Sequence, residues 1–509
     1  MYRHTLVNHF LEQSAERFPD KTALVHQNKR LTYAEIELQA NRLAQVLTAE
    51  GVQKGDRVAV FMDNCVESVI SIFAALKAGA AFMMINHTTK AEKLEYIMNN
   101  SRASLLLTQG NRSDVVQKIN CPHLKSVIMA GHQAKSSYIQ FEEVISSGRN
   151  GTVNSKCIDM DLASIIYTSG STGSPKGAML SHLNMVSAAH SITTYLENNE
   201  NDVIIDMLPL SFDYGLYQIL MGFKIGCTVV LEKSFTYPYQ VINTMIKEKV
   251  TGLPGVPTIF VILLQMKDIS TFDLSSLRYI TNTAAALPVS HIKRMRELFP
   301  QAKLYSMYGL TECKRVSFLP PEELDKRPAS IGRGMPNEEV FIVNEHGDKV
   351  GPGEVGELVV RGSNVMLGYW EMHEETAQCL KPGKYPGEKV LHTGDLFKMD
   401  EEGYLYFVAR KDDIIKCRGE KVSPKEIENV LYSLEGILEA AVVGVPDEIL
   451  GQAVKAYVAL ENGARLTEKD ILKYCSQHLE NLMVPKYIEI RESLPKTETG
   501  KIRKKSLVI

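Results

Sequence analysis

The eight cysteines, at 65, 121, 157, 227, 313, 379, 417 and 475, never form a CxxC pair, so the sequence lacks the spacing of a zinc site or a dithiol redox centre. Scattered single thiols suit a reducing compartment, and a cytoplasmic location is expected. No apolar run approaches the length of a membrane span. The amphipathic opening MYRHTLVNHFLEQSAERFPDK has no signal-peptide core, so a soluble chain with no membrane partner is expected. A formal net charge of -3 supplies no field for gripping a polyanion, which argues against nucleic acid. There is no internal repeat and no low-complexity tract. A Walker A loop is also missing: in the one Gly-rich stretch, Lys176 follows Pro175 and precedes Gly177, with no Ser or Thr after the lysine.

That stretch, Tyr167 to Gly177 (YTSGSTGSPKG), packs three glycines, the hydroxyls of Thr168, Ser169, Ser171, Thr172 and Ser174, and Lys176 into eleven positions. Glycine lets backbone N–H groups approach an anion, the hydroxyls add donors, and the lysine adds a mobile positive charge. A flexible Ser/Gly linker is the alternative. The run is short, contains a rigid proline, and lies between a strand-like and a helix-like segment, which favours a loop around phosphate.

With 509 residues the chain has roughly three domains' worth of length. From Thr22 to Gly131, strand-like runs (TALVH, RVAVFM, SLLLT) alternate with helix-period segments (YAEIELQANRLAQVL, SVISIFAALKAGA), the pattern of a parallel sheet with helices on its faces. Lys135 to Asp159 reads as a polar connector. A second alternating run covers Ala178 to Met307, and short β-rich runs from Ile331 to Val408 predict a β-subdomain. The charged break RKDDII, Arg410 to Ile415, precedes about a hundred residues of mixed helix and strand. The expected architecture is α/β: a large domain over 1–409, made of two parallel-sheet subdomains and a β-rich one, a hinge at 410–414, and a small mobile α+β domain over 415–509.

YTSGSTGSPKG resembles the signature loop of the AMP-forming adenylate-forming enzymes, the superfamily of acyl-CoA synthetases, peptide-synthetase adenylation domains and luciferases. Leu31 to Leu47 and Gly51 to Ala80 resemble its opening blocks, whereas MMINHTTKAEKLEYI lacks the usual proline-containing turn. Four later blocks match in order: SMYGLTECKRV, HTGDLFKMDEEGYLYFVARKDD, IKCRGEKVSPKEIE and KTETGKIRKKSL. The resemblance implies that ATP and Mg2+ are used and that Thr168, Ser169, Gly170, Ser171, Thr172, Gly173 and Lys176 hold the triphosphate. It further implies that Tyr308 and Gly309 pack on adenine, that Thr311 contacts phosphate, that Glu312 ligates magnesium, and that Asp395 and Arg410 reach the ribose. Lys501 is implied as the catalytic lysine, with Thr168 and Glu312 in the same machinery. For a second half-reaction, Lys416 and Gly419 would replace Lys501 as the small domain turns about Asp412. Ala409 departs from the usual Gly before the Arg.

The acid is addressed by LPLSFDYGLYQIL, Leu208 to Leu220. Many acyl- and aryl-CoA synthetases carry a histidine where this chain has Phe212. Phe212-Asp213 resembles amino-acid-activating domains, in which the aspartate pairs with the substrate's α-ammonium. A buried carboxylate needs a cationic partner, which favours a cationic ligand group; a cap on the following helix is the alternative. By the same resemblance Tyr214, Tyr217, Thr283, Met307 and Val316 line a compact side-chain pocket. The segments look most like free-standing enzymes that load proline onto the phosphopantetheine of a separate carrier protein. Leu310 speaks for a second reading, an acyl-CoA synthetase with coenzyme A as acceptor, because GLTE is common there. A third reading, a regulator that binds nucleotide without catalysis, is opposed by the presence of both Glu312 and Lys501.

Overall fold

The computed structural model describes residues 5–131, 138–148, 150–154, 156–168, 175–283, 285, 287–417, 420–447, 450–497 and 501–507, with only the backbone of Lys416, Glu420, Lys421 and Gly451. It is an α/β protein of two large sheets, an antiparallel β-subdomain and a small C-terminal unit.

In the first sheet Arg57–Phe61 lies between Ala81–Met84 and Leu105–Gln109, all parallel, and Ser126–Ala130 extends it. These strands are near-continuous apolar runs because helices such as Val66–Lys77, buried along almost its whole length, cover their faces. Leu162–Thr168 adds to Ala81–Met84 in parallel, and Lys176–Ser181 then returns antiparallel to it. The Gly-rich stretch therefore links two antiparallel strands, where the sequence had suggested a strand-to-helix loop. The helix begins only at His182, behind a capping box of Ser181 and Asn184. The connector before the hairpin also carries a helix, Phe141–Ser147.

The second sheet runs Thr228–Leu231, Val203–Asp206, Gly252–Gly255, Tyr279–Asn282 and Lys303–Tyr308 in parallel. Thr22–His26 joins its edge, parallel to Thr228–Leu231, although its place in the chain suggested the first sheet. The cause is tertiary. Tyr33, just after the strand Lys29–Thr32 that pairs antiparallel with Thr22–His26, donates its hydroxyl to the Cys227 carbonyl at 2.5 Å and packs edge-on against Phe223 at 5.4 Å. Thr228 Oγ1 donates to the Thr22 carbonyl at 2.8 Å. At the other edge the chain turns after Tyr308 and comes back antiparallel as Ser317–Leu319, so residues 309–316 form a tight bend at the carboxyl end of the parallel strands.

The β-subdomain pairs Glu338–Val343, Gly356–Gly362, Lys389–Met399 and Leu405–Arg410 antiparallel. An exposed turn, with Lys411 N–H on the Gly394 carbonyl and Asp413 N–H on the Arg410 carbonyl, leads out of it. Beyond the turn, Ile437–Asp447, Gly451–Leu460 and Tyr487–Arg491 form a sheet with Ile415–Cys417 and Glu420–Val422. The helices Pro424–Ser433 and Glu468–His478 pack on it around a separate core that includes Ile415, Ile427, Leu431, Val454 and Ile471. No helix among the described residues is long and apolar enough to cross a membrane.

Candidate active site

The neck of the hairpin lies near the 309–316 bend. Thr168 and Lys176 are register partners at its neck, with Thr168 Oγ1 3.4 Å from the Lys176 carbonyl. Ser169, Gly170, Ser171, Thr172 and Gly173 lie outside the described residues. Lys176 Nζ sits 5.4 Å from the centroid of the Tyr369 ring, and the Tyr369 hydroxyl donates to Glu312 Oε1 at 2.6 Å. Burial first, then the adjacent Glu312 charge, raises this phenol far above its ordinary value. Tyr369 thus joins the loop lysine to the bend carboxylate, a role invisible in the sequence because it depends on Gly368–Tyr369 pairing with Met179 and Ala178. Thr311 is half-buried in the turn beside Glu312.

On the other side of the bend, Tyr308 ends its strand, meets Phe397 edge-on at 5.0 Å and donates its hydroxyl to Asp395 Oδ2 at 2.5 Å. Asp395 and Arg410 are cross-strand partners. Arg410 Nε comes within 3.1 Å of Asp395 Oδ1 as an ion pair without hydrogen-bonding alignment, so among the described residues this buried oxygen has no well-aligned donor. Burial raises the Asp395 carboxyl above its usual value, opposed by Arg410, Tyr308 and Lys501. A buried acceptor short of a donor, next to an aromatic ring, suits a hydroxylated ligand such as ribose.

Lys501 lies at the end of a turn closed by the bridge between Lys496 and Ile502, with its carbonyl accepting from Thr497 N–H at 2.7 Å. The residue is exposed in surface area, yet the protein around its ammonium pulls it below the ordinary lysine value. Asp213, Asp395 and Glu312 oppose that shift and Arg410 adds to it. Carboxylates from three separate segments therefore act on one ammonium. The Lys416 side chain and Gly419 lie outside the described residues, and Asp412 is on the exposed turn.

Asp213 is the first residue of the helix Asp213–Ile225; the N-cap position belongs to half-buried Phe212, and no side chain caps the helix. Its cation comes from within the protein. Lys314 Nζ donates to the Asp213 carbonyl at 2.9 Å and lies 3.7 Å from Oδ2, while its ammonium faces the rings of Tyr217 at 4.5 Å and Tyr214 at 5.3 Å. Burial pushes Lys314 down to about 7, against the pull of Asp213. Next to it, Arg315 Nη1 donates to Thr283 Oγ1 at 2.6 Å. Met307 Sδ is 3.1 Å from the Tyr195 hydroxyl, and buried Val316 donates its N–H to the Tyr308 carbonyl. The bend is tight: Lys314 has φ +66°, and a Cβ on Gly309 would lie 2.4 Å from the Lys314 carbonyl. Lys314 and Arg315 escaped the sequence reading, although two cations directly before the apolar run VSFL were the available signal.

The family description "AMP-binding enzyme" matches residues 11–370, and "AMP-binding enzyme C-terminal domain" matches residues 426–501. The chain belongs to the AMP-binding enzyme family. Among its relatives is a long-chain-fatty-acid–CoA ligase of Bacillus subtilis (strain 168), 34% identical over 98% of this chain and 93% of that protein. Tyrocidine synthase 1 of Brevibacillus parabrevis is 29% identical over 98% of this chain and 44% of its own length. The crystal structure of the anthranilate CoA ligase AuaEII in complex with anthranoyl-AMP superposes with a TM-score of 0.91 at 27% identity, covering 100% of this chain and 97% of that one.

As an AMP-binding enzyme the protein uses ATP with Mg2+, and its residues fit both. The Asp395 oxygen without a donor fits a ribose hydroxyl. Among the described residues no cluster of three or more His, Cys, Asp or Glu is positioned to hold a metal. A single carboxylate such as Glu312 is the expected protein share for an ion held mainly by phosphate oxygens and water.

Proposed function

We propose that this enzyme is an acyl-CoA synthetase: it joins a carboxylic acid to AMP, releasing pyrophosphate, and transfers the acyl group to the thiol of coenzyme A. The observation that carries this reading is the Lys314–Asp213 pair. The aspartate expected to receive a substrate ammonium has a protein ammonium 3.7 Å from its Oδ2, anchored on its own main-chain carbonyl, which supports an acid without an amino group. The kinship with a fatty-acid–CoA ligase over nearly the whole chain supports the same conclusion.

In the first half-reaction a carboxylate oxygen attacks the α-phosphorus and pyrophosphate leaves. Lys501 draws the two anions together, and Thr168, Lys176 and Glu312 hold the phosphate side in register with the magnesium. Tyr308 and Asp395 hold the adenosine, assisted by Arg410. In the second, the small domain turns about Asp412 and brings the Lys416 strand to the site. The thiol sulfur then attacks the acyl carbonyl, AMP leaves, and the thiol proton passes to solvent.

A second reading keeps an amino acid, proline foremost, with a carrier protein as acceptor. It is favoured by Phe212-Asp213 and by the match to tyrocidine synthase 1. The deciding experiment supplies ATP, a panel of carboxylic and amino acids, and either coenzyme A or a phosphopantetheinylated carrier protein, with products weighed by mass spectrometry. Acyl-CoA from acids without an amino group is the expected product. Prolyl thioester on the carrier protein, with no acyl-CoA, would replace the first reading by the second.

A further inference from the structure

We propose that the acid activated here carries a second anionic group, received by the buried guanidinium of Arg315; this rests on the acid-activating function proposed above. Arg315 is 2% exposed and stands among the largest fully buried side chains. A guanidinium cannot shed its proton, so the charge is permanent, and a permanent buried charge without a counter-ion is strongly disfavoured. Among the described residues no carboxylate pairs with it. Its Nη1 donates to the neutral Thr283 Oγ1 at 2.6 Å, its Nε has no partner among the described residues, and the Tyr214 ring at 5.3 Å and the Tyr195 hydroxyl lie beside it.

The acidic groups of this region are spoken for. Asp213 is taken by Lys314. Asp206 accepts from the Leu208 N–H at 3.2 Å and Glu338 from Asn364 Nδ2 at 2.8 Å, and burial raises both carboxyls above the usual range. Arg315 thus keeps its charge with no carboxylate at ion-pair distance among the described residues. The reacting carboxylate does not answer it, because Lys501 and the phosphate side receive that group and adenylation removes its charge.

The location identifies what does. Thr283 and Tyr214, two of the groups beside Arg315, are residues that the sequence resemblance places in the lining of the acid's side-chain pocket, and Tyr217 faces the neighbouring Lys314. Backbone strain is concentrated at the same point, with Lys314 at φ +66° immediately before Arg315. A dicarboxylic acid, or another acid with a distal anion, places its second charge where the guanidinium waits. A plain alkyl chain would leave the guanidinium buried and unpaired.

The test is ATP–pyrophosphate exchange with dicarboxylic acids and with monocarboxylic acids and monoamides of the same chain length, using wild type, Arg315→Met and Arg315→Lys. Wild type is expected to prefer the diacid in kcat/KM by on the order of 100-fold or more. Arg315→Met should erase that preference, and Arg315→Lys should recover part of it. Two results overturn the proposal and leave acid activation standing: a wild-type preference for acids without a second anion, or an equal loss for both classes in Arg315→Met. If Arg315→Met does not fold, the wild-type preference decides alone. Exchange with no acid at all would remove the function as well.

Discussion

Asp213 and Lys314 are buried side by side, and the lysine bears the cost. Burial holds its folded value at about 7, against 10.5 for a free lysine, so between these values the unfolded chain binds a proton that the folded chain does not. Stability contributed by this site therefore rises with pH across that window. The melting temperature of wild type relative to Lys314→Met should climb from pH 7 to pH 9; a difference independent of pH would contradict the burial argument. Gly309 offers a steric counterpart. A methyl there meets the Lys314 carbonyl at 2.4 Å, and Gly309→Ala is expected to cost about 1–3 kcal/mol in chemical denaturation, shared with weaker ATP binding. At this scale motif residues were legible: Tyr308, Asp395 and Arg410 come together as their blocks implied. Lys314, Arg315 and Tyr369 were not, because a charge run looks the same whether solvent or tyrosine rings surround it.

Among the elements, local pattern revealed type more readily than partnership. The mixed helix and strand read in the C-terminal hundred residues includes the helices Pro424–Ser433 and Glu468–His478 and the strands Ile437–Asp447, Gly451–Leu460 and Tyr487–Arg491. What escaped was long-range pairing. Thr22–His26 is a sound strand by composition, yet its sheet is chosen by contacts with Thr228 and Cys227 some two hundred residues away. The strand Lys176–Ser181 was divided between the loop and the helix-like segment after it, because one short strand before a capping box has too few residues to display its period. The exposed turn at 411–413 carries its own prediction. Its hydrogen bonds come from the N–H groups of Lys411 and Asp413, so proline at 412 removes none of them while stiffening the backbone. Asp412→Pro should slow thioester formation about tenfold or more and spare adenylate formation. Equal slowing of both steps in single-turnover measurements would count against a turning small domain.

Over the whole molecule, one site is assembled from parts far apart in the chain. The hairpin supplies Thr168 and Lys176, the bend supplies Glu312 and Lys314, the β-subdomain supplies Asp395 and Arg410, and the C-terminal unit brings Lys501. That unit has its own core and touches the rest through contacts such as Ser423 Oγ on the Val408 carbonyl at 2.6 Å and the Tyr432 ring against His291 at 6.3 Å. Small contacts of this kind permit one face to be exchanged for another, as two half-reactions in one pocket require.

The most direct measurement is acid-dependent ATP–pyrophosphate exchange by wild type and Lys501→Ala side by side. The account predicts exchange in wild type and a loss of about 100- to 1,000-fold in the variant, with ATP affinity largely kept. Undiminished exchange in Lys501→Ala, or an acid-dependent release of ADP in place of pyrophosphate, would contradict it.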